Sequence, residues 1–177
     1  MKKSILFLLL SLFVSTLSAQ GLNYDSWAIV ETVDDFGDKT GESVARYFSQ
    51  GKFSNSATTG QEMIFKLVDY GKDDKGEGTS QIDLFEYNKN PARIGLDTKL
   101  GSMKCKMPDG TVKSYKIYAM KSGGLGLWGE NYDLFYELIN NGKGEKVKFV
   151  IDESDFSEYG SSKYQGHFHT KSAVDFK

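Results

Sequence analysis

Cysteine, histidine and proline are scarce in this chain: one, two and two residues among 177. A single cysteine, Cys105, excludes an internal disulfide, so in an oxidising compartment the fold has to stand on its hydrophobic core. Long apolar runs are missing too. Past the first twenty residues none approaches the ~20 residues a membrane-spanning helix needs, so no membrane span is expected. Nor is there an excess of basic charge, and without one there is no electrostatic footprint for nucleic acid or anionic lipid. No Gly-x-Ser-x-Gly elbow occurs, and no candidate nucleophile lies beside the histidines, which leaves the usual hydrolase constellations without their parts.

The N-terminus carries an address. Lys2 and Lys3 precede an apolar run from Ile5 to Val14, and Ser15-Thr16-Leu17-Ser18-Ala19 supplies small residues before Gln20. This pattern predicts a secretory signal over residues 1–19 and a mature chain over residues 20–177, secreted or periplasmic. No cysteine stands at the cleavage point, so no lipid anchor is expected. Loss of Lys2 and Lys3 leaves 20 of the 22 basic residues against 24 acidic ones, a net charge of −4. The mature length suits one domain with one core.

Short alternating runs dominate what remains. Trp27 to Val33, Ser43 to Gln50 with a brief piece at Phe53, "EMIFKLVDY", "QIDLFEYN", "EKVKFVID" and "KYQGHFHTK" all read as strands, and Arg93 to Asp97 as another short one. In "SMKCKMPDGTVKSYKIYAM" two alternating runs flank Pro108-Asp109-Gly110, the signature of a hairpin. One helix is expected from Asn131 to Asn141, with Asn131 as N-cap and Asn141-Gly142 as stop signal. Eight to ten strands and one helix predict a mostly β, single antiparallel β-sandwich, or a partly open barrel, with the helix over an open end.

Gly124-Leu125-Gly126-Leu127-Trp128-Gly129 invites a dinucleotide reading, since a strand precedes it and a helix follows. The strand before it interleaves Lys113, Ser114, Lys116 and Lys121 with apolar residues and is claimed by the hairpin. A parallel Rossmann strand, buried on both faces, would be continuously apolar. The stretch is therefore expected to be a connection whose leucines and tryptophan pack under the sheet, or a mobile loop presenting Leu125, Leu127 and Trp128 to a partner.

Three other places carry chemistry. His167 and His169, two apart on a strand, share a face and are positioned to chelate a divalent metal if a third ligand arrives from elsewhere. Their neighbours Lys163, Gln165 and Lys171 make the same face a solvated one. Met103, Cys105 and Met107 also share a strand face, but they sit ~7 Å apart, too far to close on one copper ion unaided; Cys105 reads as a buried thiol. "ETVDDFGDKTGE" and "DYGKDDKGEG" collect acidic residues without the EF-hand order and read as turns. Tyr115, Tyr118, Tyr159 and Tyr164 offer stacking faces to a sugar, or cross-strand packing. The expectation is an exported, non-catalytic binding module, with an unidentified protein or carbohydrate partner at the glycine stretch and no cofactor. The alternative is a metal-binding protein, possibly a metal-dependent hydrolase, using His167 and His169.

Overall fold

A computed structural model describes residues 23–87, 90–92, 100–120, 124–156 and 160–172. The predicted signal segment, Arg93 to Asp97 and Tyr159 lie outside them. Ten strands follow in chain order: β1 (Trp27–Val33), β2 (Lys39–Ser54), β3 (Gln61–Lys72), β4 (Gly78–Glu86), β5 (Asn90–Pro91), β6 (Leu100–Lys106), β7 (Val112–Ala119), β8 (Leu125–Trp128), β9 (Lys146–Asp152) and β10 (Lys163–His169). One helix, α1 (Gly129–Ile139), joins β8 to β9. No helix among the described residues is long and apolar enough to cross a membrane.

Of the two expected architectures, a sandwich or a partly open barrel, the protein takes the barrel, and it is closed. Hydrogen-bonded neighbours run β2-β10-β9-β6-β7-β8-β4-β3, and β3 pairs back onto β2, so eight antiparallel strands close on themselves. Among the described residues every strand of the ring has a neighbour on both sides, although β10 keeps its β2 neighbour over only part of its length. β1 lies outside this ring, paired to β2 alone, and β5 pairs with β4. The seam between β2 and β10 needs close backbone approach. A Cβ on Gly51 would stand 2.6 Å from the Gln165 carbonyl oxygen, and one on Gly166 would stand 2.7 Å from the Phe149 ring. Glycine at position 51 lets β2 and β10 meet, and glycine at position 166 makes room for the Phe149 ring of β9.

Acidic turn residues make the hairpins. Asp34 Oδ1 accepts from the backbone N–H groups of Phe36 and Asp38, and Asp73 Oδ1 accepts from those of Lys75 and Glu77. Asp109 serves the β6-β7 turn in the same way through Thr111 N–H. These carboxylates are engaged by their own loops, as Asx turns engage them. The following glycines, Gly37, Gly76 and Gly110, have φ of 87°, 79° and 89°, a conformation only glycine adopts at little cost.

Inward-facing side chains fill the barrel. Phe65 and Phe149 have ring centroids 4.4 Å apart, Phe168 lies 6.3 Å from Phe65, and Phe135 of α1 meets Phe168 and Tyr115 edge-on at 5.7 and 5.4 Å. α1 begins two residues earlier than the sequence suggests and ends at Ile139. Its buried Tyr132, Phe135 and Ile139 follow helical spacing and dock on β4, β7 and β8. Asn131 does not cap the helix; its side-chain oxygen accepts from Lys116 N–H at 3.2 Å. Burying each large side chain contributes about 1.5–3 kcal/mol.

Under α1 lies a buried polar centre. Asp69, 2% exposed, accepts from Tyr132 O–H at 3.0 Å and Gly71 N–H at 3.1 Å, and pairs with Lys171 Nζ at 2.6 Å. Lys171, read from the sequence as part of a wet face, is buried, because the β10 alternation stops at His169. Burial raises the Tyr132 hydroxyl pKa, and the Asp69 carboxylate raises it further.

Candidate functional site

β10 forks the wall of the barrel. It pairs with β9 along its whole length but with β2 only from Lys163 to Gln165. Beyond that point β1 takes the place beside β2, with Trp27 opposite Tyr47. Two carbonyls of β10 that lose their β2 partners are satisfied by side chains: Ser49 Oγ donates to the His167 carbonyl at 2.5 Å, and Trp27 Nε1 donates to the His169 carbonyl at 2.7 Å. β10 is thereby fixed while the imidazoles of His167 and His169, on the face opposite buried Phe168, remain available.

The third group comes from the other end of the chain. Asp25 precedes β1 and has φ of 61°, the left-handed region that asparagine and aspartate tolerate better than other side-chain-bearing residues. Its N–H donates to the Phe48 carbonyl at 2.7 Å, which locks this turn against β2. The carboxylate then reaches His167: Oδ1 lies 3.0 Å from Nε2. That Nε2 is shielded from solvent and makes no hydrogen bond of acceptable direction, so the contact is one of proximity. One donor atom each from Asp25, His167 and His169 lies within 4.8 Å of the other two.

Tyr47 stands among them. Its hydroxyl donates to Asp25 Oδ1 at 3.2 Å and lies 2.8 Å from His169 Nδ1. The Trp27 ring packs on Tyr47 with centroids 5.3 Å apart, and Lys171 Nζ lies 5.0 Å from the centroid of the Trp27 ring. Opposite the histidines on β9, Lys148 and Lys146 are exposed. Burial lowers the His167 pKa, Lys146 adds to the shift, and Asp25 opposes it. The net direction is down, so His167 is neutral at neutral pH, the form that ligates metal.

The other predicted positions fare differently. Leu125 and Leu127 are 1% and 0% exposed on β8, inside the barrel, so they are core residues and not loop anchors. Trp128 is 43% exposed and stacks on Tyr118 with centroids 4.1 Å apart. Tyr115 and Tyr164 are buried, the latter donating to Glu86 at 2.7 Å, and neither presents a face to a sugar. Cys105 is buried and its thiol pKa is pushed up to about 12 by desolvation, which keeps it protonated and inert. Two members of the fork cluster, Asp25 and Tyr47, escaped the sequence reading. The only local signal for Asp25 was an acidic residue two positions before the start of the first strand.

Fold and site together define an all-β protein built on one filled antiparallel barrel, with a two-histidine, one-carboxylate cluster where an extra strand leaves the wall. No family model, no curated protein and no solved structure matches the chain.

Proposed function

We propose that this is an exported, non-catalytic binding module whose ligand is a divalent transition-metal ion, held by Asp25, His167 and His169. One observation carries the reading: residues from the two ends of the chain converge on a single fork of the barrel, with a shielded imidazole nitrogen 3.0 Å from a carboxylate oxygen. Two imidazoles and a carboxylate suit zinc, copper, nickel or iron better than calcium or magnesium, which prefer all-oxygen sets. Export rests on the Lys2 to Ala19 pattern and agrees with a fold that holds its one thiol buried. Calorimetry of the mature protein with zinc and with cupric ion tests the function. One site per chain is expected, weakened at least about tenfold in Asp25→Ala and His167→Ala; no heat above buffer with either ion overturns it.

Trp128 favours a second reading, capture of a protein or carbohydrate partner on the outer wall, because it leaves a large aromatic 43% exposed beside Tyr118. Trp128→Ala abolishing capture without loss of fold would support it.

A further inference from the structure

We propose that Tyr47 is the fourth ligand of this centre, completing a two-nitrogen, two-oxygen set for a cupric ion; the inference rests on the metal reading above. Four donor atoms run in series, His169 Nδ1, Tyr47 Oη, Asp25 Oδ1 and His167 Nε2, with successive separations of 2.8, 3.2 and 3.0 Å. Ligands about 2.0–2.1 Å from one ion stand about 2.9 Å apart at right angles and about 3.3 Å apart at tetrahedral angles. These three separations match edges of such a polyhedron, and one donor atom each of Asp25, His167 and His169 lies within 4.8 Å of the other two.

Hydrogen bonding alone accounts for part of the series and not for all of it. A phenol has one proton, so Tyr47 donates either to Asp25 or to His169. Donation to Asp25, with His169 Nδ1–H donating to the phenol oxygen, satisfies those three residues, but it gives His167 Nε2 no partner along its bonding direction. A cation drawn in among these donors would give His167 Nε2 the partner it lacks and would engage the Tyr47 oxygen beside it.

The chemistry of the set selects the ion. No thiolate or thioether belongs to it, which disfavours monovalent copper. Imidazole, carboxylate and phenolate together fit the tetragonal nitrogen and oxygen geometry of Cu(II), the most tightly bound of the first-row divalent ions. Tyr47 is placed for the role by packing: the residue is fully buried, and it faces Trp27 across the β1-β2 pair. On binding, the phenol O–H bond breaks, its proton leaves to solvent, and the oxygen lone pair forms the bond to copper, with no change of oxidation state.

The test is titration of the mature protein with one equivalent of Cu(II), followed by visible absorption and electron paramagnetic resonance. A phenolate-to-copper charge-transfer band in the visible is expected for wild type. Tyr47→Phe should bind copper at least about tenfold more weakly and lack the band. The wild-type spectrum needs no variant to fold, and the melting temperature of metal-free Tyr47→Phe separates lost ligation from lost structure. Copper bound at one equivalent without the band overturns the role of Tyr47 and leaves the three-ligand reading standing. No copper uptake by wild type overturns both.

Discussion

Asp69→Asn is the substitution that most directly probes how the fold is held. Asp69 and Lys171 have side chains 1% and 10% exposed and an N–O separation of 2.6 Å. The same carboxylate also receives Tyr132 O–H from α1 and Gly71 N–H from β3. Asparagine keeps the shape and can still accept those two bonds, but it leaves the Lys171 ammonium facing a neutral amide in a site that water barely reaches. Breaking one side of a buried pair costs about 3–5 kcal/mol, against a total stability of about 5–15 kcal/mol for a domain of this kind. With a urea slope of about 2 kcal/mol/M, the midpoint should fall by about 2 M. Urea unfolding followed by circular dichroism reads this directly. The companion Asp69→Asn/Lys171→Met, which keeps the acceptor for Tyr132 and Gly71 and removes the stranded ammonium, should recover most of the loss. A change under about 1 kcal/mol for Asp69→Asn would refute the assignment of the pair as the anchor between α1, β3 and the segment after β10.

Phe135→Ala, which removes the ring linking α1 to Tyr115 and Phe168, should cost about 3–5 kcal/mol by thermal or urea unfolding. Cys105 should resist a thiol reagent at pH 8 until denaturant is added. Because its folded pKa is about 12 against an ordinary 9.0, and burial raises Tyr115 and Tyr164 as well, stability should be intact below about pH 9 and fall as pH climbs towards 12. A flat urea midpoint between pH 8 and pH 11 would contradict this. Trp128→Ala should cost about 0.5–1.5 kcal/mol, the contribution of one stacked pair, and leave metal affinity unchanged in calorimetry.

Much of the fold was legible locally, and its closure was not. The β6-β7 hairpin announced itself through Pro108-Asp109-Gly110 and two clean alternations. β2 read as two pieces because Gly51 interrupts its pattern, although that glycine is what lets β10 come close enough to close the wall. β8 looked like a loop because Gly126 occupies an outward position without a side chain; an added Cβ there would meet the Trp128 ring at 2.5 Å. Sandwich and barrel share the same alternation, and only the pairing of β3 back onto β2 tells them apart, a non-local contact that periodicity does not encode. The histidine pair was readable from its spacing on β10. Asp25 was not, because it lies outside any strand and reaches the cluster through a left-handed turn fixed by the Phe48 carbonyl.

The central claim is that the fork holds a metal, and elemental analysis of the mature protein, expressed through its own signal and purified without chelator, tests it most directly. The account predicts close to one transition-metal ion per chain, falling well below that in Asp25→Ala. Protein that emerges metal-free and takes up neither zinc nor cupric ion when they are supplied would contradict it.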